Sequence, residues 1–113
     1  FGNEGEKFAY KFLKKSGFTI IDQNYRTKKG EIDIVAKKNQ CLHAIEVKTR
    51  SSESFTPVTS ALTKKKYQTI VSVLEEYKLC HDEVVDFDFS IDLVCLIKKE
   101  KTFEVLFYEN VMF

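Results

Sequence analysis

The sequence predicts a mixed α/β domain, a five-stranded sheet flanked by helices in the order α-β-β-β-α-β-β. Three observations carry this expectation. Residues 3–16 and 60–79 repeat apolar side chains at helical spacing. Five shorter windows are rich in β-branched and aromatic residues or alternate with period two. The connection from the third strand through the second helix to the fourth has crossover length, which makes those strands parallel, while the other connections suit antiparallel hairpins.

The 113 residues read as a single domain, 1–113. Apolar residues make up 43% and Phe alone is 10, so burial can outweigh chain entropy and a disordered chain is excluded. The first helix, 3–16, has Asn3 as its predicted N-cap, acids early and Lys14-Lys15 late, with Gly17 as its stop. Ala9, Phe12 and Leu13 form its apolar stripe. Glu6 falls at the edge of that stripe and leans inward, whereas Glu4 faces water. Strands follow at Phe18–Tyr25, Gly30–Ala36 and Cys41–Thr49, then a polar loop over Ser51–Ser60 with the only proline, Pro57. The second helix places Leu62, Ile70, Val73, Leu74 and Tyr77 on one face. The fourth strand, Phe87–Ile97, aligns Phe87, Phe89, Ile91, Leu93, Cys95 and Ile97, and Thr102–Tyr108 returns beside it.

A net charge of +1 excludes a globally basic coat protein for nucleic acid, yet leaves room for a basic face beside an acidic pocket. No apolar run approaches the ~20 residues needed to span a bilayer. No leader is visible, and the expectation is a cytoplasmic protein with no membrane partner. Cys41, Cys80 and Cys95 lack metal-ligand spacing and read as small buried hydrophobes, and His43 reads as a packed residue at the core edge. Asp82, Glu83, Asp86 and Asp88 read as solvated, and Tyr67, Tyr77 and Tyr108 as packing residues.

Chemistry concentrates on the second and third strands. Alternation puts Glu31 and Asp33 on one face and Ile32 and Ile34 on the other. It likewise groups Glu46 with Lys48, opposite Ile45 and Val47. A hairpin centred between Asn39 and Gln40 sets Asp33 across from Glu46 and Glu31 across from Lys48, with Cβ atoms ~5 Å apart. Acid–lysine alternation is common on a solvated strand, but these strands are otherwise apolar, and charges there are expensive unless used. Two close carboxylates call for a cation between them, and oxygen-only ligands suit Mg²⁺ or Mn²⁺. With Lys48 beside them to orient water, these are the parts that phosphodiester hydrolysis needs.

Asp33 followed across a hairpin by Glu46-Val47-Lys48 resembles the PD-(D/E)xK superfamily of nucleases, with the restriction-endonuclease-like fold. The chain is most similar in pattern to the small bacterial YraN family of predicted endonucleases, related to archaeal Holliday junction resolvases. Segments carrying the similarity are Gly5-Glu6-Lys7-Phe8-Ala9, Asn24-Tyr25-Arg26, Gly30 to Ala36, Ile45 to Arg50, Ala61-Leu62 with Lys66, Ile91 to Val94 and Glu109 to Phe113. The resemblance implies that Asp33 and Glu46 ligate metal with the Val47 carbonyl, that Lys48 is the catalytic lysine, and that Glu6 adds a further acid. It places Lys66, Arg26 and Arg50 against phosphate. Glu31 is left between the metal and a pairing with Lys48 or Arg26. The chain departs from the family pattern at Phe55-Thr56-Pro57, which lacks the usual glycine, and at Ser90-Ile91 before Asp92.

The function expected is therefore a metal-dependent endonuclease hydrolysing DNA, with branched or Holliday-junction-like DNA among its substrates. Such a junction-cutting enzyme needs two sites and hence a homodimer. The alternatives are a non-catalytic nucleic-acid-binding module and a partner-dependent subunit that keeps the fold.

Overall fold

The computed structural model describes residues 2–51 and 62–112. The elements are α1 (Gly2–Lys15), β1 (Thr19–Arg26), β2 (Glu31–Lys38), β3 (Cys41–Ser51), α2 (Lys64–Cys80), β4 (Asp88–Lys98) and β5 (Phe103–Tyr108). A short 3₁₀ turn at Asp82–Val84 precedes β4. Among the described residues the strands form one sheet ordered β1-β2-β3-β4-β5. β3 and β4 run parallel and the other neighbours antiparallel, as the crossover length predicts.

Gly17 ends α1 with φ +95°, and the Phe18 N–H donates to the Leu13 carbonyl at 3.0 Å. Glycine suits this position because a left-handed backbone closes a helix without a Cβ clash. The helix begins at Gly2, so Asn3 lies inside it instead of capping it. Ala9 and Leu13 bury their stripe against Ile34, Ala36, Ile45, Val94 and Leu96. α2 covers the opposite face, where Ile70, Val73, Leu74 and Tyr77 pack on Val35, Leu42, Ala44 and Ile91. It starts at Lys64, with Thr63 as its cap, so Leu62 joins the core from outside the helix. The predicted loop Ser51–Ser60, with Pro57, lies outside the described residues except for Ser51, which ends β3.

One helix on each face buries both sides of the central strands, so a single apolar face is too simple a picture of β3 and β4. Asp92, Val94 and Leu96 are as buried as Ile91, Leu93 and Cys95. Phe89, aligned with Ile91, Leu93 and Cys95, is nevertheless 41% exposed. Among the cysteines, Cys95 is buried and Cys41 half-buried, but Cys80, the last residue of α2, is exposed. Tyr108 is also exposed, whereas Tyr77 packs edge-on to Tyr25 at 4.9 Å.

The predicted alternation fails at one point that matters. Ile34 packs under α1, but Ile32 packs under α2. Two irregularities explain this. The ladder between β2 and β3 ends at Ile34↔Ile45, so Glu31 and Ile32 pair with β1 alone. In β1, Asn24 takes φ +50° between the pairs Gln23↔Ile34 and Tyr25↔Ile32, and the register slips between Ile20 and Asp22. A left-handed residue and a bulge both kink and twist a two-stranded ribbon. Asp33 sits at that kink.

Candidate functional site

The β2–β3 turn is the tight two-residue kind, with φ +51° at Asn39 and +59° at Gln40. It pairs Lys38 with Cys41 and Ile34 with Ile45. Continuing that register one step sets Asp33 opposite Glu46, at the place where the strands part. The Val47 N–H closes the gap by donating to Asp33 Oδ2 at 2.9 Å. The fork between β2 and β3 is open to both helical layers. Glu6 reaches it from α1 and Lys66 from the first turn of α2. Together Glu6, Asp33, Glu46, Val47, Lys48, Thr49 and Lys66 line a cavity of about 200 Å³.

Gly5 explains how close α1 comes. A Cβ there would lie 2.7 Å from Thr49 Oγ1, so the helix sits directly on β3 and holds Glu6 at the pocket. The inward lean predicted for Glu6, and the outward one for Glu4, both hold.

The electrostatics are those of crowded acids. Glu46 is only 4% exposed and is ion-paired through Oε2 to Lys66 Nζ. Burial, followed by the hydrogen bond and charge of Glu46, pushes the Asp33 carboxyl up to about 7. The Val47 N–H and Lys66 oppose that shift without cancelling it. Burial pulls the Lys66 ammonium down, but its hydrogen bond to Glu46 and the charges of Glu46 and Asp33 outweigh this and raise it.

Asp33 therefore carries a proton in the folded protein over a range where the unfolded chain, at its ordinary 3.8, has released it. Its contribution to stability is greatest below that ordinary value, falls as pH climbs to about 7, and is level above. Asp33→Asn, neutral throughout, is expected to gain on wild type across this window in chelator-treated buffer. Thermal midpoints measured from pH 4 to 8 test this, and a difference that does not vary with pH would refute the raised Asp33.

The other predicted residues lie elsewhere. Arg26 is 74% exposed and pairs with Glu31 at 3.3 Å, outside the pocket. Glu31 is thus turned from the cluster to which simple parity assigned it, because the kink at Asn24 and Asp33 intervenes. Arg50 does not line the pocket either; its charge lies near Cys95 and opposes the rise that burial gives that thiol.

Sequence reasoning missed a second polar cluster. Asp92, 0% exposed, accepts from Ser90 Oγ at 2.6 Å and from the Asn110 N–H at 2.9 Å. Its Oδ2 lies 2.6 Å from His43 Nδ1, and the His43 ring packs edge-on to Phe18 at 4.8 Å. The signal was available in Ile91-Asp92-Leu93-Val94, where a carboxylate interrupts an apolar strand and so requires partners. Larger clefts of about 490 and 390 Å³ open around Lys37–Gln40 and around His43 and Asn110, but neither gathers a carboxylate pair.

The donor set at the fork fits a hard divalent cation. Two adjacent carboxylates with a backbone segment beside them suit Mg²⁺ or Mn²⁺, which keep several waters and need few protein ligands. Among the described residues, no three or more His, Cys, Asp or Glu side chains, those at the fork included, are grouped to hold a metal. No helix among them is long and apolar enough to cross a membrane.

Fold and pocket together define a mixed α/β protein with an acid–lysine site where two central strands diverge. The chain belongs to the uncharacterised protein family UPF0102, whose model matches residues 5–106. It is 42% identical over 109 residues to a UPF0102 protein of Campylobacter jejuni, covering 96% of this chain and 90% of that one. Identity is 37% over 113 residues to one of Campylobacter fetus, covering 100% and 94%. It is 33% over 112 residues to one of Flavobacterium psychrophilum, covering 99% and 92%.

Proposed function

We propose that this protein is a Mg²⁺- or Mn²⁺-dependent endonuclease of the PD-(D/E)xK type that hydrolyses DNA phosphodiester bonds. The observation that carries this reading is the convergence of Asp33, Glu46 and Lys48 on one pocket, with the Asp33 carboxyl pushed up to about 7 first by its own burial and then by Glu46 beside it. Such crowding of acids is costly to a fold and is characteristic of sites built to receive a cation.

Asp33 and Glu46 would hold the metal, together with the Val47 carbonyl. When bound, the cation supplies Lewis-acid polarisation of a phosphate oxygen and acidifies water. Lys48, two residues past Glu46 on the same strand, orients the attacking water and offsets charge developing on the phosphate. Glu6 adds a carboxylate from α1 that helps to position that water. Cutting a branched junction calls for two such sites, so a homodimer is the assembly this reading implies.

Supercoiled plasmid and a synthetic four-way junction, each with Mn²⁺, Mg²⁺ or EDTA, provide the test. Cutting that requires metal and disappears in Asp33→Ala is expected. Binding without cutting under every condition would instead favour a non-catalytic nucleic-acid-binding module. Neither binding nor cutting by the isolated protein would leave the partner-dependent subunit as the better account.

A further inference from the structure

We infer that Lys66 is a built-in competitor of the divalent cation, its ammonium holding the Glu46 oxygen that metal loading requires. This rests on the reading of Asp33 and Glu46 as metal ligands and adds to it a regulation of that site.

Three observations support it. First, Glu46 is 4% exposed, and a buried carboxylate needs a positive partner. Lys66 supplies that partner through a direct ion pair to Oε2. A divalent cation on the same carboxylate would have to replace it.

Second, helix stability gives no reason for the position of Lys66. α2 opens with Lys64-Lys65-Lys66 and has no acid in its first turn. Cations at a helix N-terminus face the positive end of the helix dipole and are unfavourable there. Thr63 Oγ1 accepts from the Lys66 N–H at 3.1 Å and anchors the residue at its backbone, so the side chain departs from a fixed point toward β3.

Third, the latch can open without moving the backbone. The Lys66 side chain is 38% exposed, so its flexible stem can swing the ammonium into solvent while α2 stays in place. The consequence is a threshold. The site loads only at divalent-cation concentrations that outcompete a tethered ammonium.

Isothermal titration of Mn²⁺ at fixed ionic strength tests this with wild type, Lys66→Gln, Lys66→Met, Lys66→Arg and the exposed neighbour Lys65→Gln. Both neutral replacements of Lys66 are expected to bind Mn²⁺ about tenfold more tightly or better. Lys65→Gln should stay within about twofold, because a solvated charge is screened, and Lys66→Arg should bind no more tightly than wild type. If Lys66→Met folds poorly without metal, the Mn²⁺-induced rise in thermal midpoint of Lys66→Gln reports the same affinity. Wild-type binding that Lys66→Gln leaves unchanged or weakens would overturn the competition and leave the metal reading standing. No Mn²⁺ uptake by any of the proteins would overturn both.

Discussion

Lys48→Ala is expected to slow metal-dependent cleavage by roughly 10²–10⁴-fold without weakening Mn²⁺ binding. An ammonium can donate hydrogen bonds but cannot ligate a cation. On the proposed function, Lys48 should therefore contribute to rate, and Asp33 and Glu46 to metal affinity and rate together. Lys48 lies two residues from Glu46 on β3 and lines the same cavity. Titration calorimetry and single-turnover cleavage on the same preparations separate the roles. Asp33→Ala should lose both signals, and Lys48→Ala only the second. Lys48→Arg keeps the charge but replaces a compact point donor with a planar fork, so it should recover little of the rate. Cleavage by Lys48→Ala at the wild-type rate would remove the lysine from the mechanism, and with it the strongest reason for a nuclease at this fork.

How much of this was legible in the sequence depended on the range of the interaction. The hairpin parity that brings Asp33 to Glu46 is local. It rests on the length of one turn, and the two left-handed residues at Asn39 and Gln40 supply that turn. The inward lean of Glu6 is also local, following from 100° per residue along α1. The parallel crossover was legible from length alone. What strand alternation could not reach was the point where regularity breaks. Asn24 and the register slip in β1 turn Ile32 to the other layer and take Glu31 out to Arg26. A period-two argument assumes an unkinked strand, and functional sites are often where that assumption fails. Lys66 was legible as a basic residue near the site. Its pairing with Glu46 depends on how α2 docks across the sheet, which no local pattern encodes. Asp92 was a different kind of miss. The cost of a charge in an apolar strand, which singles out Asp33, applies equally to Asp92, but of its partners only Ser90 is local, while His43 lies on β3 and Asn110 beyond β5.

That buried network should carry the largest stability effect of a single side chain. Asp92→Ala is expected to destabilise the protein by ~3–5 kcal/mol, since removing one member of a buried polar set strands the others. His43 Nδ1, Ser90 Oγ and the Asn110 N–H would each lose the carboxylate they face. The last of these ties the segment after β5 back to β4, where the Val111 N–H also donates to the Ile91 carbonyl at 2.8 Å. At roughly 4 °C per kcal/mol for a domain near this size, the thermal midpoint should fall by roughly 12–20 °C. Asp92→Asn should cost less. Its carbonyl oxygen can still accept from Ser90 and Asn110, and its amide can donate to His43 Nδ1 once the imidazole proton moves to Nε2. A double-mutant cycle with His43→Phe isolates the pair, because Phe keeps a ring against Phe18 while deleting the polar partner. A coupling near zero, or an Asp92→Ala protein as stable as wild type, would show that the carboxylate is not what holds β3, β4 and the C-terminal segment together.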